Sequence, residues 1–268
     1  MKKIIRFIVI CLIDLIMLVP LILVFINSLK DKYQASSMGM DLPLKLHFEN
    51  YTTVINQGKL FRSFFNSMLY AGSSIIFGVI LTAMAAYVLS RNKSKFNKFI
   101  YFFMVLGIAV PINYVSLTKV MQITHLMNKQ IGICLLYTAM QIPFSVFLFY
   151  GFISTVPKDL DEAGTIDGCS PLRLFFSIVF PLLKPVAVTV GILNFMNAWN
   201  DFVTPLYYMN SAKNWPMTLA VYNFFGQYQM QWNLVCADII LTSLPVIIIY
   251  LIGQKHIISG MTSGSVKG

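Results

Sequence analysis

Apolar residues run along this 268-residue chain in six long blocks separated by short polar stretches, near 7–28, 66–90, 99–121, 131–153, 181–209 and 234–253. A helix needs about 20 predominantly apolar residues to cross the hydrocarbon core of a bilayer. Each block meets that requirement, so the pattern predicts an all-α polytopic membrane protein with six transmembrane helices. The longest polar stretch, 29–65, is too short for a soluble domain, and no repeat of 20 to 50 residues is visible. The expectation is one helical bundle over residues 1–268. Ala71, Gly72, Ser73, Ser74, Gly78, Ala83, Ala85 and Ala86 in the second block suit close helix packing.

Composition strengthens that picture, because 57% of residues are hydrophobic and only 11% are charged, against roughly a quarter charged in soluble proteins. Mean hydropathy is +0.72. The net charge of +10 raises nucleic-acid binding, but the basic residues lie between apolar blocks and form no single patch. Membrane orientation explains them better. Assigning loops to alternate sides places 12 of the 20 Lys and Arg residues on the side of the N-terminus. Among these, Arg91, Lys93, Lys95 and Lys98 stand right at helix ends, where the bias is strongest. Both termini are therefore expected in the cytoplasm, at the cell membrane. The start Met1-Lys2-Lys3 resembles a signal peptide, but its apolar run continues past Val24 without a suitably placed cleavage site. It is expected to be a retained span. Asp14 interrupts it at a cost of about 3 kcal/mol, against about 5 to 10 kcal/mol from the surrounding apolar side chains. An acid at that depth is a functional candidate, although snorkelling or a bond to a neighbouring helix accounts for it more simply.

Cys11, Cys134 and Cys236 fall in or beside apolar blocks and Cys169 lies in a loop, so no extracellular disulfide framework is indicated. His47, His125 and His256 are scattered. No Ser/His/Asp cluster, HExxH, CxxC or phosphate-binding GxxxxGKS is present. Catalysis, metal binding and direct ATP binding find no support.

The loop 154–180 is the most informative segment. Pro157 suits the first position of a helix, and Asp159, Asp161 and Glu162 then place negative charge where the helix dipole favours it. Leu160, Ala163, Gly164 and Asp167 follow at i, i+3, i+4 and i+7, making a face of small residues that another surface can approach closely. Gly168 is placed to end the helix in a left-handed cap, and Ser170-Pro171 to start another. That second helix, 172–180, leads to Pro181 and Pro185, a kink-prone entry to the fifth block. By spacing alone, a plain helical connection and a docking surface for a soluble partner fit equally well.

Glu162-Ala163-Gly164, two residues, then Asp167-Gly168 and the distal Pro181 resemble the EAA loop of binding-protein-dependent ABC importer permeases. Gly164 stands where the second Ala is usual, which keeps the face small while loosening the helix by about 1 kcal/mol; Cys169 replaces another usual Ala. Asn194-Phe195, Ala198-Trp199-Asn200-Asp201-Phe202 and Pro205-Leu206 resemble the fifth span of maltose-type carbohydrate permeases. The segments 215–219 and 231–233, and the tail 260–268, resemble that class too, the tail pointing to one of its two permease types.

The resemblance implies the type I importer permease fold. It also implies a second permease around a shared pathway, two ABC ATPase subunits below and an extracellular sugar-binding protein above. ATP would be bound by those ATPases, leaving this chain no cofactor of its own. Leu160, Glu162, Ala163, Gly164, Asp167 and Gly168 are then the expected ATPase-coupling residues, with force passing onward through residues 170–185.

Asn194, Asn197 and Asn200 recur every third position and are candidates for a sugar pathway, although interhelical hydrogen bonding explains them at least as well. Trp199 is expected in the aromatic belt at the membrane interface. Trp215, Tyr222, Phe224, Phe225, Tyr228 and Trp232 make an outer segment suited to a binding protein. The Gly-rich tail alone reads as unstructured, and by resemblance reaches the ATPases. The alternatives are a permease for a non-sugar solute, or an ion-coupled secondary transporter, which should show paired pathway charges.

Overall fold

The computed structural model describes residues 2–225 and 230–263. Tyr228 and the tail 264–268 lie outside them. The described residues form helices α1 Lys2–Ser28, α2 Lys32–Ala35, α3 Glu49–Gln57, α4 Leu60–Arg91, α5 Lys95–Leu106, α6 Tyr114–Ile123, α7 Gln130–Ile153, α8 Asp159–Ile166, α9 Pro171–Leu174, α10 Phe180–Leu182, α11 Lys184–Asn200, α12 Val203–Tyr208, α13 Met217–Ala220 and α14 Trp232–Ser263. No strand occurs among them beyond an isolated bridge between Phe225 and Met230.

Four helices, α1, α4, α7 and α14, are each long and apolar enough to cross a membrane. The segments 171–182 and 184–200 add a fifth if the pair, bent by 80°, is one span.

The third apolar block departs from the expected continuous helix. It is two helices of 12 and 10 residues, broken at 107–113. Pro111 has no N–H and its ring obstructs the preceding turn, and Asn113 caps the restart by accepting from the Ser116 amide at 2.9 Å. Ile108, Val110 and Ile112 keep the sequence apolar through the break, so hydropathy passes over it. Gly107 is required where α5 approaches α7, because a Cβ there would lie 2.8 Å from Pro143 Cγ. The tail also differs from expectation, since α14 continues helically through Gly260 to Ser263.

The chain divides into two compact units. The first comprises residues up to 65 and 215–246. Its centre is polar: Asn50 donates to the Ser28 carbonyl at 2.8 Å and the Lys30 carbonyl at 2.9 Å, and accepts from Asn233 at 2.9 Å. Buried polar groups joined in this way fix the end of α1 and the start of α14 about α3. The fully buried Lys30 ammonium donates to Asp41 at 3.1 Å, and this bond holds the Asp41 carboxyl below its ordinary range. The aromatic outer segment belongs here. Phe224 is buried beside Gly58, whose missing side chain makes room for its ring, and Tyr222 is exposed.

The second unit comprises residues 66–214 and those from 247 on. Its core gathers Val79, Ala83, Ala86 and Leu89 of α4 with Val146, Phe149 and Ile153 of α7. Val186 and Val190 of α11 join them, together with Phe175 and Val179 from the segment between α9 and α10. The small side chains of α4 allow this approach as expected: Ala71, Ser74, Ala83 and Ala86 are fully buried. Gly72 does not share the role, since a Cβ there would meet nothing within 4 Å.

Candidate functional site

Helix α8 starts two residues after Pro157 with Asp159, Asp161 and Glu162 in its first turn. Its end is a complete Schellman motif. The Gly168 amide donates to Thr165 at 3.1 Å and the Cys169 amide to Gly164 at 3.0 Å, with Gly168 at φ +73°. A Cβ at 168 would meet nothing within 4 Å; the backbone conformation, not space, demands glycine. Ser170 caps the next helix by accepting from Arg173, and Pro171 occupies its first turn.

The helical path then widens into a π-turn, Phe175–Val179, in which the Phe180 amide reaches back to Phe175. Pro181 offers no amide to the carbonyl four residues earlier, the place where such bulges form. Leu183 interrupts the path and Pro185 opens α11. This produces the 80° bend expected from the two prolines.

The two sides of α8 differ. Asp161 and Gly164 face inward. Tyr87 donates to Asp161 Oδ1 at 2.7 Å, and Arg91 Nε stands 2.8 Å from Asp161 Oδ2. The Arg91 guanidinium also donates to the Val156 carbonyl at 3.1 Å and the Pro157 carbonyl at 3.4 Å. Arg91 and Asp161 are only 15% and 16% exposed. A Cβ on Gly164 would lie 2.5 Å from Leu174 Cδ1 and 2.9 Å from Ile178 Cδ1, so this chain itself covers that part of the small face. Outward stand Leu160, Glu162, Ala163, Asp167 and Gly168, all exposed, and Ile166, which is 85% exposed.

Of the six residues expected in coupling, the structure leaves five on an open surface and buries Gly164. Tyr87 and Arg91 escaped the sequence reading. Arg91 stood within a basic cluster that topology already accounted for, and no local pattern links it to a carboxylate 70 positions away.

The three asparagines also separate. Asn194 is buried, its carbonyl accepting from Gln141 at 3.0 Å and its side chain from Ser145 at 3.4 Å. Gly78 passes close to its amide, where a Cβ would come within 3.2 Å. Interhelical bonding accounts for Asn194. Asn197 is exposed and lines a cavity of about 220 Å³ with Tyr114, Tyr137, Met140, Gln141, Ala198 and Asp201. Asn200 is exposed outside that lining. Trp199 is no belt residue: it is 1% exposed and stacks on Phe195 with ring centroids 5.2 Å apart.

A helical membrane protein with a capped surface helix braced on α4 is the class that this geometry defines, and family comparison makes it specific. The chain belongs to the family of inner membrane components of binding-protein-dependent transport systems, whose model matches residues 74–263. It is a permease component, not an enzyme. It is 34% identical to the melibiose/raffinose/stachyose import permease MelC of Bacillus subtilis, over 93% of this chain and 91% of that one. To the probable starch degradation products permease AmyC of Thermoanaerobacterium thermosulfurigenes it is 32% identical, over 95% and 93%. The fold matches a crystal structure of a bacterial ABC transporter involved in alginate import with a TM-score of 0.82, 20% identity and coverage of 94% and 95%.

Proposed function

We propose that this chain is the permease subunit of an ATP-driven sugar importer. It forms the translocation pathway with a second permease, one of two ABC ATPase subunits docks on α8, and an extracellular sugar-binding protein delivers the solute. Both termini are cytoplasmic, on the side of Arg91 and the outward face of α8. The observation that carries the reading is that face. Leu160, Glu162, Ala163, Ile166 and Asp167 stand open on a helix whose other side is fully engaged. An 85% exposed isoleucine beside a small residue and two acids is apolar surface rimmed by polar groups, which marks a protein contact.

Sugar as the solute is supported by the relatives, whose names specify starch degradation products and melibiose, raffinose and stachyose. Within the chain, Asn197 and the cavity that it lines offer hydrogen-bonding groups for hydroxyls at a segment otherwise apolar. Asn194 supports the wall of that pathway, and Asn200 extends it. Exposed Tyr222 is suited to the binding protein.

The test is to purify the tagged chain from its native membrane in mild detergent and identify copurifying chains by mass spectrometry. A second permease and an ABC ATPase are expected. A chain that comes down alone would contradict the proposal.

A further inference from the structure

We propose that Arg91, Tyr87 and Asp161 form a joint through which motion of α8 reaches α4 directly, as a second route beside the one through α9 to α11. The inference rests on the reading of α8 as the ATPase-docking helix. An eight-residue helix has little stability of its own, so a push on it would tilt or unwind it unless other elements hold it. One hold is apolar, the seat of Gly164 against Leu174 and Ile178. The other is the Arg91 fork, which binds Asp161 in the first turn and the carbonyls of Val156 and Pro157 in the lead-in.

A planar guanidinium with several engaged donors fixes orientation, which a lysine ammonium cannot do. Tyr87, one turn before Arg91 on α4, adds its bond to Asp161. Its ring also packs on Phe175, the first residue of the π-turn, at 5.5 Å. The two routes therefore meet at Tyr87. Farther along α4, Gly78 lies against Asn194 of α11, so displacement of α4 is felt beside the polar cavity. Arg91, Tyr87 and Asp161 are positioning residues: they act through α8 and α4.

The test uses the assembled transporter in lipid vesicles with the four natural cysteines replaced and Met140→Cys as a reporter in the cavity wall. Maleimide labelling is timed without nucleotide and with ATP plus vanadate. The parent should show a nucleotide-dependent change in labelling rate. Arg91→Met should shrink that change roughly tenfold, within the span of site-to-site couplings, while ATPase subunits copurify at parental stoichiometry and hydrolyse ATP. Arg91→Lys should recover only part of the response.

A parental response in Arg91→Met overturns the joint. So does loss of the ATPase from that variant, which would make the cluster a mere support of the docking surface. If Arg91→Met fails to accumulate, Tyr87→Phe decides by the same criteria, with an expected reduction of about two- to fivefold for the loss of one hydrogen bond. Ile166→Asp separates the underlying reading, because normal ATPase copurification with that variant would defeat docking on α8 itself.

Discussion

The inward and outward faces of α8 follow opposite rules. Inward, Asp161 is held by Tyr87 and Arg91, and Gly164 is seated against Leu174 and Ile178; each position is committed to this chain. Outward, Leu160, Glu162, Ala163, Ile166 and Asp167 are open, and nothing among the described residues explains an 85% exposed isoleucine. A helix that must be held and also touched divides those demands between its sides. A change on one side should then disturb how the helix is positioned, and a change on the other what it touches.

The sharpest break should come at Gly168, which serves both. Gly168→Asp places a side chain at φ +73°, costing about 1 to 2 kcal/mol, and adds charge at the edge of the open face. It is expected to abolish ATPase copurification and solute uptake while the amount of chain in the membrane stays unchanged. Gly168→Ala isolates the backbone cost and should retain part of both. Next comes Gly164→Leu, which overfills the seat against Leu174 and Ile178 by about 1 to 3 kcal/mol and should lower thermal stability together with uptake.

Ile166→Asp inverts that signature. Stability should shift by no more than about 0.5 kcal/mol, while copurification of the ATPase falls measurably. Asn194→Ala removes the interhelical bond from Ser145, such bonds being worth about 0.6 kcal/mol on average, and should appear in thermal unfolding. Asn197→Ala should leave the melting temperature alone and raise the apparent KM for uptake. The smallest effect is expected from Gly164→Ala. Its Cβ would meet only the ends of flexible side chains, and the gain of about 1 kcal/mol in helix propensity opposes the crowding.

How much of this was legible in the sequence depends on the range of the interactions. The acidic first turn of α8, the Gly168 stop, the Ser170-Pro171 restart and the proline-driven bend follow from neighbours a few residues apart, and all four are present. Membrane insertion followed from composition. The break at 107–113 was hidden because hydropathy measures transfer to lipid and is blind to backbone continuity, which Pro111 and Asn113 decide. Trp199 was misplaced because its residue type favours interfaces, while its actual surroundings come from packing on Phe195. The inward use of Gly164 was out of reach, since a small residue admits a neighbour without saying which one. Arg91 and Asp161 are 70 positions apart, and only folding brings them together.

The central claim is that the outward face of α8 meets the ATPase. The most direct test places a photo-crosslinking residue at position 166 in the intact membrane and identifies the product by mass spectrometry. Crosslinking to an ABC ATPase from position 166, and none from position 88 on the exposed side of α4, is the predicted result. Adducts from position 166 confined to lipid, or to this chain alone, would contradict the account.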